Sequence, residues 1–334
     1  MERYTCRMIH PSTSQAIGQA CQVLNDGGVV AIPTETVYGL ACSINHPEAI
    51  RRVFALKGRP SDNPLIVHVH SVDQALELTA LSDLNILRRL AEAFWPGPLT
   101  IVVARSPKVS DLVSAGQDTV AIRMPAHSVA QAVLRGTASP LAAPSANISG
   151  RPSPTLAQHV QDDFGNEVMI IDGGPCEHGL ESTVVRVVGS ECLVLRQGAL
   201  TADDLRSALP DLVVRSADEA DQRHRSPGTR YRHYAPRARV VICRSPEQAR
   251  AMLAEGAADH TVVLTSAISA QRNAELNART VNAATLYAEF RRADALQVER
   301  IIVLCDKELA SNEALMNRLD KASESGGQSG DAVV

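Results

Sequence analysis

The run VVAIPTETVYGL, residues 29–40, opens on apolar residues and passes without a break into a dense polar segment. VVAIP (29–33) reads as a buried strand. PTETVYGL (33–40) then places the hydroxyls of Thr34, Thr36 and Tyr38 and the carboxylate of Glu35 at the end of that strand, where α/β sheets usually bind ligands. A turn explains Pro33 and Gly39, but not three hydroxyls and an acid side by side.

On the N-terminal side of this strand, Ala16, Ala20, Val23 and Leu24 fall on one face of a helix over 14–26. Ser12 or Thr13 can cap it and Gly27-Gly28 stops it. On the other side the alternation continues with helices near 47–56, 72–78, 83–94 and 128–134. Strands are expected at 65–69, 99–104, 119–124, 141–143, 168–171, 183–188 and 192–195. Short strands mixed with helices predict an α/β or α+β sheet domain over residues 1–209.

Residues 210–238 break the pattern, and from Gln222 to Arg239 the chain carries six arginines, two histidines and no acid. Strands at 240–243, 261–265 and 301–305 then alternate with helices near 246–254, 283–292 and 313–322. Three strand–helix units predict a smaller C-terminal parallel α/β (Rossmann-like) domain over 239–323. The closing SESGGQSGDAVV is low-complexity, and 324–334 is expected to be disordered.

A length of 334 residues suits two domains, with 45% hydrophobic residues for two cores. Aromatics are only 3%, so packing rests on Val, Leu, Ile and Ala. A formal charge of -4 argues against coating nucleic acid through overall charge, while the basic stretch keeps a weak local RNA contact open. The seven cysteines are scattered, odd in number and without C-x-x-C, which points to buried free thiols in a reducing cytosol. The N-terminus lacks the apolar core of a signal peptide, and no stretch has the length and apolarity of a membrane span. A soluble cytoplasmic protein with no membrane partner is expected.

The usual nucleotide signatures are missing: there is neither G-x-x-x-x-G-K-[ST] nor G-x-G-x-x-G. H-E-x-x-H and the G-x-S-x-G elbow are absent as well. Polar segments at strand ends carry the chemistry instead. In LKGRPSDNPLIVHV (56–69), Lys57 and Arg59 flank Gly58 on a loop stiffened by Pro60 and Pro64, an arrangement that suits phosphate, though a solvated basic turn looks the same. His68 lies in an apolar strand, where a satisfied core histidine is the commoner finding. PLAAPSANISGRPSPT (140–155) offers Ser145, Asn147, Ser149 and Ser153, short side chains that approach phosphate closely or simply make turns. Arg123 ends the strand in VAIRMP, where its fork can hold a carboxylate. DGGPCEHGLESTVV (172–185) is a glycine-rich turn leading to Ser182 and Thr183.

Taken in order, PTETVYGL, Lys57-x-Arg59 with SDNPL, FWPGPLT (94–100), AIRMP, PSAN and GLESTVV resemble the YrdC family of threonylcarbamoyl-AMP synthases. The resemblance covers about residues 16–209 and implies a YrdC-like twisted mixed sheet with flanking helices. SPGTRYRHYAP (226–236) resembles the linker of the long form of these enzymes, with Thr229-Arg230 in place of a Met-Lys pair and the positive charge kept. NEALMNRLDKAS fits the family's small domain more loosely.

The resemblance implies that L-threonine, bicarbonate (or carbon dioxide) and ATP give threonylcarbamoyl-AMP and pyrophosphate, for the threonylcarbamoyl modification of tRNA adenosine. It places Lys57, Arg59, Ser145 and Asn147 at the phosphates and the transferring centre. It gives Thr36, His68, Arg123, Ala143 and Ser182 to L-threonine, with Arg123 for the carboxylate. ATP falls to Arg59, Asn63, Thr119, Ser145, Ser153 and Arg196, joined from the linker by Arg230 and Tyr231, with Arg232 and His233 beside them closing over the nucleotide. Magnesium (Mg2+) is expected on the phosphates with few protein ligands, and a separate transferase for the later step on tRNA. Two other readings stay open on sequence alone: a non-enzymatic RNA binder, and carbamoyl transfer from carbamoyl phosphate on a related domain.

Overall fold

The computed structural model describes residues 9–80, 84–217, 235–255 and 260–324. The chain divides into two compact units, Met1–Ser149 with Pro154–Arg230, and Gly150–Ser153 with Tyr231–Val334. Among the described residues no helix is long and apolar enough to cross a membrane.

The first unit is built on eleven strands: β1 (Ile9–Pro11), β2 (Val30–Ile32), β3 (Gly39–Ser43), β4 (Ile66–His68), β5 (Leu99–Ala104), β6 (Thr119–Arg123), β7 (Leu141–Ala142), β8 (Met169–Asp172), β9 (Thr183–Val188), β10 (Glu191–Arg196) and β11 (Val213–Ser216). They lie in the order β1-β8-β2-β3-β7-β4-β6-β5-β9-β10-β11, with parallel and antiparallel neighbours. The opening run behaves as a strand buried on both faces. Val29 and Ala31 pack into the main apolar core, while Val30 and Ile32 enter a second cluster on the opposite side. That second cluster is closed by the helix Ser14–Asn25, whose Ala16, Ala20 and Leu24 repeat every four residues, and by the helix Ser128–Gly136. Thr13 caps the first of these by accepting from the Ala16 amide, and Gly27, at φ 80°, lets the chain turn away. Gly136 is required by proximity: a Cβ there would lie 2.5 Å from Cys21 Sγ.

Several elements of this unit lie beyond the sequence reading. β1, β3 and the helices Asp111–Ser114, Ala157–Phe164 and Ala202–Ala208 were not expected, and β11 adds a parallel edge strand past residue 209, where the domain was expected to end. VVRS is too short, and too polar at its second half, to show a period, so its place is set by pairing with β10 rather than by local pattern. Residues 150–153 cluster with the second unit, a grouping that sequence order hides.

The second unit carries β12 (Arg239–Cys243), β13 (Thr261–Thr265), β14 (Arg279–Thr280) and β15 (Arg300–Leu304) in the order β12-β15-β13-β14, all parallel. Helices follow the strands, and Ser245, Ser266 and Asp306 cap those after β12, β13 and β15. Ile302 and Leu304 pack with Val263 and Ala249, the apolar faces that the three-unit pattern implied. The two-residue β14 was not anticipated. Most of the basic stretch and residues 325–334 lie outside the described residues, as does Cys6. The six described cysteines are all buried and unpaired.

Candidate active site

The antiparallel pair β2–β3 is joined by residues 33–38, and every residue of that connection is buried. Its hydroxyls divide the work. Thr34 Oγ1 accepts from the amides of Thr36 and Val37 and donates to the Val37 carbonyl at 2.6 Å, fixing the turn. The Tyr38 hydroxyl donates to the Gly174 carbonyl at 2.8 Å and anchors the glycine-rich loop after β8. Glu35 and Thr36 turn to Arg123, the last residue of β6. Arg123 donates from Nη1 to Thr36 Oγ1 at 2.7 Å, from Nη2 to Glu35 Oε1 at 2.5 Å, and from Nε to the Gly97 carbonyl at 3.2 Å. Three of the five guanidinium N–H donors are thereby used.

This ion pair is deeply buried, with Arg123 and Glu35 each 4% exposed. Burial pushes the Glu35 carboxyl upward, but the charge and hydrogen bond of Arg123 outweigh it and hold the group below the ordinary carboxylate value. Glu35 therefore stays ionised. Its second oxygen, Oε2, is buried without a hydrogen-bond partner.

Strand register brings the next groups alongside. His68 at the end of β4 pairs with Arg123 on β6, and Thr100 on β5 pairs with Arg123 from the other side. Thr100 Oγ1 lies 2.7 Å from Ser182 Oγ, just before β9. Arg196 fastens Ser182 in place, donating from Nη2 to its hydroxyl at 3.0 Å and from Nε to its carbonyl at 3.1 Å. Gly198 makes this approach possible, since a Cβ there would lie 2.3 Å from the Thr183 amide nitrogen. His68 is 3% exposed and its Nδ1 has no partner. Burial first, then the nearby Arg123 charge, push the imidazole down to about 3, so it is neutral at physiological pH.

That depression has a measurable consequence. Below the ordinary value of 6.5 the unfolded chain takes up a proton at His68 that the folded chain refuses until about 3. Stability is thus full above 6.5 and falls as the medium acidifies. The slope from this one site is about 1.4 kcal/mol per pH unit across that window. Urea unfolding between pH 6 and 4 is expected to show a flatter decline for His68→Gln, which cannot titrate; an unchanged slope would mean that His68 protonates in the folded protein.

Lys57 closes the helix Pro47–Lys57 just before Gly58, whose φ of 57° ends the helix. Lys57 is 2% exposed, and its ammonium donates to the carbonyls of Ser145 at 2.5 Å and Asn147 at 2.6 Å and to Asn147 Oδ1 at 3.3 Å. Ser145 Oγ donates to the same Oδ1 at 2.6 Å. The PSAN segment is stitched to the PTETVYGL loop by Leu40 N to Pro144 O at 2.7 Å and Ala146 N to Tyr38 O at 2.8 Å. Lys57 was expected to hold phosphate. Its ammonium here serves the loop that carries Ser145 and Asn147. Arg59 is half-buried and braces the SDNP turn, donating to the carbonyls of Asn63 and Pro64. Asn63 is buried in that turn, and Ala143 continues β7, its amide donating to Ile66 O at 3.0 Å.

The pairing also defines one face of the sheet. Thr100, Val102, Thr119, Ala121, Arg123, Ile66, His68 and Val184 share it, because partnered and alternate residues point the same way. The polar groups gather at the Arg123 end. Ile66, Val102, Ala121 and Val184 form an apolar patch in the middle with Leu193 and Leu195. Thr119 stands at the far end, four residues or about 13 Å from Arg123 along the strand. It is not part of the Arg123 cluster. Ser153 belongs to the segment grouped with the second unit, and Arg230, Tyr231, Arg232 and His233 lie outside the described residues. Among the described residues no group of three His, Cys, Asp or Glu side chains could hold a metal.

A family model described as "Telomere recombination", for the Sua5, YciO and YrdC proteins, matches residues 22–198. A second, described as "Threonylcarbamoyl-AMP synthase, C-terminal domain", matches 200–324. The chain is 39% identical over 324 residues to threonylcarbamoyl-AMP synthase of Bacillus subtilis, spanning 92% of each chain. The chain belongs to the threonylcarbamoyl-AMP synthase family. The family's enzyme from Pyrococcus abyssi is 38% identical over 316 residues, covering 91% of this chain and 93% of its own. The crystal structure of P. abyssi Sua5 complexed with L-threonine matches this fold at a TM-score of 0.82 with 35% identity, over 95% of this chain and 97% of that one. Escherichia coli YciO, 21% identical at a TM-score of 0.52, shares the fold over 57% of the chain.

Within this family frame the geometry brings together Thr36, His68, Arg123 and Ser182 in one cluster, and Lys57, Ser145 and Asn147 in another stitched to it. Two further residues join the first cluster without having received a role from the sequence. Glu35 carried a signal, an acid beside a buried strand, without a stated partner. Thr100 sat unassigned inside FWPGPLT, and only the β5–β9 register shows that it meets Ser182.

Proposed function

We propose that this chain makes threonylcarbamoyl-AMP. The threonine ammonium gives one proton to solvent, and the amine joins bicarbonate with loss of water, or carbon dioxide with loss of a second proton. The new carboxylate then attacks the α-phosphate of ATP. An O–P bond forms, the bond to the bridging oxygen breaks, and pyrophosphate departs.

The observation that carries this reading is the graded sheet face. A substrate with a small polar part and a nucleoside part has its counterpart in a buried ionic cluster around Arg123 beside the apolar patch of Ile66, Val102, Ala121 and Val184. Arg123 retains two N–H donors for the threonine carboxylate. Neutral His68 and Ser182 stand beside it for the side-chain hydroxyl. The base lies over the apolar patch toward Thr119, and the phosphates lie toward Ser145, Asn147 and Arg59. An anion attacking a polyanion needs positive charge and donors arranged in advance rather than a proton shuttle. Buried, pre-ordered Lys57 and Arg123 suit that demand better than titrating groups would. Mg2+ bound to ATP would neutralise phosphate charge there, and no group of three His, Cys, Asp or Glu side chains among the described residues would cage it.

The product is a mixed anhydride, which a separate transferase must pass to tRNA adenosine. Use of ATP, a product consumed in tRNA modification, and buried free cysteines among the described residues support a cytoplasmic location. Pyrophosphate release by purified protein with Mg2+ tests the reading. Release is expected only with both L-threonine and bicarbonate, and much less with L-serine. Release that needs carbamoyl phosphate instead would support carbamoyl transfer. No turnover by the folded protein would make RNA binding the reading to pursue.

A further inference from the structure

We propose that Glu35 recognises the amino nitrogen of the amino-acid substrate, its Oε2 oxygen accepting a hydrogen bond from that nitrogen. The inference rests on the reading of the substrate as an α-amino acid. It begins from an imbalance in the cluster around Arg123. Glu35 is ionised and buried, with its side chain only 5% exposed. Oε1 is satisfied by Arg123 Nη2, whereas Oε2 has no hydrogen-bond donor. A bare anionic oxygen in a protein interior is among the most costly polar groups to leave unpaired, so a donor is missing from the cluster.

The neighbouring groups do not supply it. The backbone amides of Glu35 and Ala126 help to hold the carboxyl down, but neither completes a hydrogen bond to Oε2. Thr36 receives an N–H from Arg123 and shares a hydrogen bond with Thr34 Oγ1. Tyr38 points its hydroxyl at the glycine-rich loop. Cys176 is a weak donor whose thiol is pushed up to about 12, by burial first and then by the Glu35 charge. His68 is neutral, and its own Nδ1 is equally unpartnered. Two buried polar atoms from different elements thus lack partners beside one guanidinium that retains two donors.

Charge fixes what belongs there. Arg123 and Glu35 sum to zero and His68 adds nothing, so a ligand with net charge would be poorly compensated. A zwitterion is not. Its carboxylate meets the remaining Arg123 donors while its ammonium meets Glu35 Oε2, two opposed dipoles in a low-dielectric site. On carboxylation the ammonium gives one proton to solvent and one hydrogen to the departing water, and the N–H that remains has Glu35 as its acceptor.

The test is calorimetric titration of the full chain with L-threonine and with its deamino analogue, 3-hydroxybutanoate, in which a hydrogen replaces the amino group and no donor faces Oε2. The proposal expects the wild type to prefer threonine by on the order of 100-fold, and Glu35→Gln to weaken threonine by roughly 10- to 100-fold. Gln keeps an oxygen for Arg123 but turns an NH2 toward the nitrogen. The analogue, a net anion, should bind the variant as well as or better than the wild type, because Gln removes the carboxylate charge that it faces. Equal weakening of both ligands would mean that Glu35 merely props Arg123, and overturns the proposal. So does a wild type that binds the analogue as well as threonine, whether or not the variant folds. A wild type that binds no threonine sinks the substrate reading itself, and the inference with it.

Discussion

Replacing Arg123 with methionine is expected to destabilise the protein by about 3–5 kcal/mol, the cost of stripping a buried charge of its partner. The same change should lower threonine-dependent turnover by on the order of 10³-fold, because the group proposed for the substrate carboxylate goes with it. Glu35, 4% exposed, pairs with no other cation among the described residues, so it must either protonate or draw water inward. Adding Glu35→Gln to the variant removes that stranded charge. The double variant should regain about 2 kcal/mol in urea unfolding while remaining inactive. A single variant as stable as the wild type would contradict the buried pair, and an active double variant would remove Arg123 from substrate binding.

Lys57→Met should show a different signature. The ammonium donates to three oxygens of the segment carrying Ser145 and Asn147. A methionine of similar length leaves those acceptors unpaired in the interior. A loss of about 3 kcal/mol is expected, with turnover down by roughly 10²- to 10³-fold as the loop loses its set. The two readouts together separate positioning from direct phosphate contact. A lysine that only met phosphate would leave the midpoint of unfolding near the wild-type value and raise KM for ATP. A lysine that sets the loop lowers both stability and kcat.

Much of this arrangement is legible in the amino-acid sequence, and the reasons are local. Residues 29–33 are continuously apolar and end at a proline, so the strand is readable, and with it the placing of PTETVYGL at a strand end. Helix 14–25 declares itself through Ala16, Ala20 and Leu24 and through a cap and a glycine stop. What the sequence hides depends on pairing between distant segments. That Thr100 meets Ser182, or that His68 lies beside Arg123, follows from β5–β9 and β4–β6 register, which no local period encodes. Among the described strands Val213–Ser216 pairs only with β10, and VVRS has no period of its own. Lys57 illustrates the limit differently. Its residue type suggests phosphate, and the sequence does not show that its ammonium also donates to the backbone of the distant segment carrying Ser145 and Asn147. The helix Ala157–Phe164 escapes notice because the preceding serines, prolines and glycine dominate that stretch.

The central claim is that threonine, a one-carbon acid and AMP are joined in one product. The most direct measurement is the mass of the nucleotide products formed by the full chain from ATP, Mg2+, L-threonine and carbon-13 bicarbonate. An AMP adduct carrying both threonine and one labelled carbon is the predicted result. An unlabelled threonyl-AMP, or AMP and pyrophosphate formed equally well without threonine, would contradict it.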